Sequence, residues 1–150
     1  VLIEKTTEIA PGVNIITDIP LADPSDTDWK YFFTEKNSNL IADTFEDELF
    51  LTIVNDEKLS VLSSCSHRGI TNIMRKALTE FPLPVNLIAG GFHLKDCKPQ
   101  RVETIIDYFK TIAPEKIGIC HCTGLEHFQI FNQAFGDAVF YFHTGIIIHI

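Results

Sequence analysis

Three short segments concentrate the residues that could do chemistry: Ser64-Cys65-Ser66-His67-Arg68-Gly69, Gly90-Gly91-Phe92-His93-Leu94 and Cys120-His121-Cys122-Thr123-Gly124. Each sets one histidine among small and polar residues. Neutral imidazole is a ligand for zinc and iron, and three protein ligands plus an open position is the arrangement of catalytic zinc. Such an ion polarises a substrate and lowers the pKa of bound water towards about 7, which is hydrolytic chemistry. A fourth segment, Asp43-Thr44-Phe45-Glu46-Asp47-Glu48, is acidic. It reads as a solvated turn or as the source of a carboxylate near the metal, with Asp47 the candidate catalytic base or ligand. Arg68, beside His67, suits a phosphate or carboxylate, or a solvent-facing salt bridge. Gly91 and Thr123 join Arg68 as candidate substrate-binding residues, because glycine-rich loop amides can bind an anion.

The elements that must position these loops follow from apolar periodicity. Val13–Thr17 reads as a strand, and Pro20–Asp28 as a proline- and aspartate-rich loop. The rest of the N-terminal third reads as irregular. Leu49–Val54 and Leu59–Ser64 read as a hairpin around a short polar turn. Ile70, Ile73, Met74, Ala77, Leu78 and Phe81 recur as one face of a helix, stopped by Pro82 and Pro84. Val85–Ala89 is the next strand. Val102, Ile105, Ile106 and Phe109 mark a second helix, with Pro99 in its first turn. Lys116–Cys120 is a further strand. A third helix follows, with Thr123 and Glu126 as a capping box and Gly136 as its C-cap. Ala138–Phe142 and Ile146–Ile150 read as closing strands, the apolar tail from Thr144 being buried.

This β-α-β-α-β-α-β-β order implies a largely parallel sheet with right-handed crossovers. Ligands of open α/β sheets bind beyond the carboxyl ends of the strands, where all three histidine loops lie. Each helix has one apolar stripe and covers one face of the sheet. The strands are apolar on nearly every residue, so a second layer is expected on the other face.

The remaining candidates are weaker. The cysteines read as small buried strand-end residues, or as part of a thiolate zinc site that has no Cys-x-x-Cys pair. Cys97 sits in a charged loop and reads as incidental. His127 and His149 read as structural, and His143 as structural or as a further rim residue. The chain has 150 residues, 45% hydrophobic and 21% charged, which fits one compact domain and excludes disorder. The net charge of −8, with scattered basic residues, argues against nucleic acid. No apolar run approaches the roughly 20 residues of a membrane-spanning helix. Four cysteines without a signal-like start point to free thiols and a cytoplasmic location. The start at Val1 hints at a missing upstream segment.

Taken together, Asp43–Leu49, Cys65–Ile70, Gly90–Leu94 and His121–Gly124 resemble the metallo-β-lactamase superfamily. They resemble more narrowly its branch of dihydropterin–ribofuranosylaminobenzene-phosphate synthase-like proteins. The resemblance implies an α/β fold: the C-terminal half of an αβ/βα sandwich, a mixed sheet with helices on one face. Residues 1–150 would form a single half-domain. By resemblance, His67 and His121 match metal-ligand positions and His93 matches a site histidine that is a ligand or stabilises charge. The implied cofactor is a divalent metal, zinc first, with iron or manganese as alternatives. The implied activity is that of a metal-dependent hydrolase acting on a small, pterin or phosphorylated substrate. The family's His-x-His-x-Asp-His loop is absent from the sequence. That departure leaves a second expectation open, a non-catalytic metal-binding or assembly half that needs an N-terminal half or second subunit as partner.

Overall fold

The computed structural model describes residues 3–150. The strands are β1 (Thr7–Ala10), β2 (Val13–Ile16), β3 (Phe33–Lys36), β4 (Asn39–Ala42), β5 (Phe50–Asn55), β6 (Lys58–Ser63), β7 (Val85–Gly90), β8 (Lys116–Ile119) and β9 (Val139–Tyr141). The helices are α1 (Ile70–Glu80), α2 (Pro99–Ile112) and α3 (Leu125–Phe135). One seven-stranded sheet has the order β1-β2-β5-β6-β7-β8-β9. Its first four strands pair antiparallel, and β6 to β9 pair parallel. The fold is therefore the expected mixed α/β sheet. Sequential parallel strands joined by right-handed crossovers put all three helices on one face.

The core lies between that face and the helices. Ile70, Ile73, Met74 and Ala77 of α1 and Val102, Ile105 and Phe109 of α2 pack with Val61, Ile88, Ile117 and Ile119 of the sheet. Full burial of each large side chain stabilises by roughly 1.5–3 kcal/mol. The third helix is held less deeply, with His127 and Phe131 buried and Leu125 exposed.

Several sequence expectations need correction. The N-terminal third is not irregular: it holds β1 and a separate hairpin of β3 and β4. Short strands with both faces exposed carry no burial alternation, so periodicity misses them. Residues 146–150 form no strand, and Ile147 is 82% exposed. The tail instead runs from the β9 edge back to β5, where Asn55 Nδ2 donates to the Ile150 carbonyl at 3.1 Å. Among the described residues, the face of the sheet opposite α1, α2 and α3 carries no helix. On that face Phe140 covers Gly118, while Leu51, Ile53 and Leu62 stay half-buried. The capping box at Thr123 does not form either. The N-cap of α3 is Gly124, and Thr123 ends a 3-10 turn over His121–Thr123.

The first helix starts immediately after the His67 loop, and its start is tied down from a distance. Gly69 is its N-cap and supplies no side chain. The Asp26 carboxylate accepts from the Thr71 amide at 2.7 Å, doing the capping from another segment. Asp26 is paired in turn with Arg101 of α2 at 3.0 Å, and the two side chains are 1% and 7% exposed. Asn72 fastens the same segment, exchanging hydrogen bonds with the Asp23 backbone. A buried ion pair that loses one partner leaves an uncompensated charge. Arg101→Ala is therefore expected to destabilise the fold by about 3–5 kcal/mol, read from the midpoint of a urea titration.

Candidate metal centre

The three histidine loops are held side by side by the parallel register. Ser63 pairs with Gly90, and Gly90 with Ile119, so each loop leaves its strand at the same level. Backbone bonds then knit the loops. Gly91 donates to Ser64 at 3.0 Å, Cys120 to Gly90 at 3.1 Å, and Leu94 and Lys95 both to Cys122 at 3.0 Å. Ser66, His93 and His121, one in each loop, have positive φ without being glycine. Such strained backbone clusters at functional sites.

Two groups of potential metal donors result. Cys65, His67 and His93 place one ligand atom each within 4.8 Å of one another, and so do Cys65, His121 and Cys122. The structure thus brings all three strand-end histidines to one rim, with two cysteines among them. These cysteines are half-buried and face the histidines, so they are not the buried packing residues expected. All four cysteines are free thiols.

The acidic segment contributes through Glu48. Its carboxylate accepts from the amides of His67 and Arg68, both at 2.7 Å, and lies 3.6 Å from His67 Nδ1. It holds the loop by its backbone and sets a negative charge beside the imidazole. Asp47 is exposed and lines a separate cleft of about 510 Å³ with Asp18, Glu46 and Glu48. That cleft has no histidine in its lining, and Asp47 belongs to neither group of donor atoms.

The candidate substrate-binding residues are also engaged elsewhere. Arg68 donates from Nε to Ile19 O at 2.8 Å and from Nη1 to Thr44 O at 2.6 Å. Its guanidinium fastens the acidic segment to the first histidine loop. Thr123 is fully buried and its hydroxyl accepts from the Phe92 amide at 2.9 Å. Gly91 has its amide on Ser64, and its value lies in having no side chain. A Cβ there would stand 2.5 Å from Cys122 Sγ and 2.9 Å from His121 Nε2. Outside the rim, His127 is buried with Nδ1 on the Thr123 carbonyl, and His143 is exposed.

Sequence reasoning missed an aromatic wall. Phe45 stacks on His67 with ring centroids 4.0 Å apart, and Phe32 packs against both His67 and His93 at 5.4 and 5.5 Å. Trp29 Nε1 donates to the His67 carbonyl at 2.8 Å. Phe32 and Phe45 lie on either side of the β3–β4 hairpin; Phe45 falls within the acidic segment, and nothing local marks either ring as a neighbour of the histidines. A cavity of about 220 Å³ opens beside the wall, lined by Lys30, Tyr31, Phe32, His93, Lys95 and Cys122 among others.

Electrostatics favour the ligand forms of His67 and Cys122. Burial, with His93 close by, pushes the His67 pKa down and outweighs the opposite pull of Glu48. A hydrogen bond from the Cys65 thiol at 2.9 Å, then contacts from His93, lower the Cys122 pKa to about 4. The same bond, together with burial, pushes Cys65 upward, and burial raises Cys97 and Cys120 as well.

No family model matches the chain. The chain is 33% identical over 114 residues to 7,8-dihydropterin-6-methyl-4-(β-D-ribofuranosyl)-aminobenzene-5'-phosphate synthase of Methanocaldococcus jannaschii, covering 75% of this chain and 39% of that protein. It is 31% identical over 121 residues to protein MJ0448 of the same organism, covering 77% of this chain and 41% of that one. Its structure superposes on crystalline Tm1679, a metal-dependent hydrolase of the β-lactamase superfamily, with a TM-score of 0.86 and 29% identity. That match covers 99% of this chain and 57% of Tm1679. The chain belongs to the metallo-β-lactamase superfamily. It spans about two fifths of the length of its curated relatives. Among the described residues, no helix is long and apolar enough to cross a membrane.

Two expectations follow. Glu48→Ala leaves the His67 and Arg68 amides without their charged acceptor and is expected to cost about 1.5–3 kcal/mol, read by denaturant unfolding. The thiolate is the nucleophilic form of cysteine. Limited alkylation of the metal-free chain at pH 6 should therefore modify Cys122 ahead of Cys65, Cys97 and Cys120, as mapped by peptide mass spectrometry.

Proposed function

We propose that this chain carries a divalent-metal site of a hydrolase-type enzyme, with zinc as the favoured ion. The observation that carries the reading is the convergence of His67, His93, His121, Cys65 and Cys122 on one rim of the sheet. The residues fit the group. They are imidazole nitrogen and cysteine sulfur donors, loop-held, and Gly91 leaves the space in which His121 and Cys122 stand. A divalent ion there supplies Lewis-acid polarisation of a substrate oxygen and brings the ionisation of water near neutral pH.

The protein's own residues do the rest. His67, grouped with Cys65 and His93, and His121, grouped with Cys65 and Cys122, are the histidines assigned to metal, and His93 borders the 220 Å³ cavity, where it can hydrogen-bond charge that develops on the substrate. Glu48 positions His67 through the loop amides. Phe32 and Phe45 exclude water from one side of the imidazoles. Tyr31 and Phe32 offer aromatic faces to a small planar substrate, while Lys30 and Lys95 share the lining with Asp28, which pairs with Lys30 at 3.3 Å, and Asp96. The aromatic faces support a pterin substrate, and a phosphorylated one rests on the name of the relative from M. jannaschii.

A second reading is favoured by the half-buried Leu51, Ile53 and Leu62 on the open sheet face and by the limited span of the relatives that is matched. In it the chain is a metal-binding half that becomes active only with a partner segment bearing the His-x-His-x-Asp-His loop. Both readings share the metal. Elemental analysis after zinc loading and dialysis should show bound zinc in the wild type, with His67→Ala and His121→Ala each binding about tenfold or more weakly. Full zinc retention in both variants would sink the assignment. Turnover of phosphorylated pterins by the chain alone, rather than only after adding the partner segment, decides between the readings.

A further inference from the structure

His67 and His121 fall in different donor groups, and the residue common to both groups is Cys65. We propose that Cys65 and Cys122 are themselves metal ligands and form, with His121, a Cys2His site for one borderline-soft divalent ion such as zinc or cobalt. The inference deepens the proposed metal-dependent reading and rests on it. A Cys2His donor set with an open fourth position is one of the arrangements that hold catalytic zinc.

The distances suit such an ion. Zinc bonds of about 2.3 Å to sulfur and 2.0–2.1 Å to nitrogen put two tetrahedral sulfurs about 3.8 Å apart and sulfur and nitrogen about 3.6 Å apart. Cys65 Sγ and Cys122 Sγ stand 2.9 Å apart, held by a hydrogen bond that a metal would replace. Opening that pair by about 0.9 Å reaches the tetrahedral spacing. Cys65 Sγ and His93 Nδ1 are 3.7 Å apart, so His93 already borders the fourth position.

The neighbours hold the donors in the required orientation. Cys120 Sγ lies 3.2 Å from His121 Nδ1, which leaves Nε2 on the side of Gly91 and Cys122. The His93 amide donates to Cys122 Sγ at 3.3 Å, an outer bond of the kind that supports a ligating atom. Each thiol that ligates gives its proton to solvent, and no electron is transferred. Thiolate donors select zinc or cobalt over magnesium and manganese.

The test uses the full 150-residue chain, reduced and loaded with metal. X-ray absorption at the zinc edge of the wild type should show two sulfur scatterers at about 2.3 Å. The cobalt form should show thiolate-to-cobalt charge-transfer absorption in the near ultraviolet. Cys65→Ser and Cys122→Ser should each weaken zinc binding on the order of 100-fold and diminish that band. Cys97→Ser, in a separate loop, should change neither. A zinc shell of nitrogen and oxygen alone, or wild-type binding in both cysteine variants, overturns the thiolate assignment and leaves the histidine site standing. No uptake of zinc or cobalt by the wild type overturns both.

Discussion

Neighbouring strands of a sheet lie about 4.8 Å apart, and parallel strands in register end at one level. In this chain that constraint brings the loops after β6, β7 and β8 to one rim of the sheet. The pairing of Ser63 with Gly90 and of Gly90 with Ile119 sets the level. A slip of one residue in either ladder would turn the strand's side chains to the other face and carry its loop out of line. The register is secured by the apolar residues between the sheet and the helices, with Val61, Ile88 and Ile117 side by side in the core. The chemistry at the rim therefore depends on packing in the middle of the sheet.

Polar interactions convert this coarse alignment into a site. The Asp26–Arg101 pair joins α2 to the start of α1, and α1 begins where the first histidine loop ends. Glu48 grips the same loop from the opposite side through two amides. Between these anchors the loop backbone accepts a positive φ at Ser66. The other two loops lean on each other through the Cys122 carbonyl and the Thr123 hydroxyl. Such supports hold donor atoms at ligand spacing, and a site left without them would be loose.

Much of this was legible in the sequence. Helices α1 and α2 and the four parallel strands follow from periodicity, because each buries one face against a continuous core. The three histidines were legible as a set because each stands just past an apolar strand. What periodicity does not carry is contact between segments. The β3–β4 hairpin is exposed on both faces and leaves no pattern. Phe32, Phe45 and Trp29 reach the imidazoles from that irregular region. Thr123 reads locally as a helix cap, yet its hydroxyl is taken by the Phe92 amide across a loop. The tail reads as a strand by composition and instead runs irregularly to a hydrogen bond with Asn55.

The residue types and their order along the chain determined the class of fold, the rim on which the site stands and the presence of three imidazoles there. Those conclusions need only local propensity and the rule that parallel strands end together. Tertiary structure alone decided that Glu48 braces the first histidine loop, because only the folded chain brings its carboxylate under two amides. It alone set Cys65 against Cys122, 57 positions apart in the chain, and placed Gly91 so that its missing side chain makes room for the donors. The distances on which ligation turns come from the closure of three loops over one sheet edge.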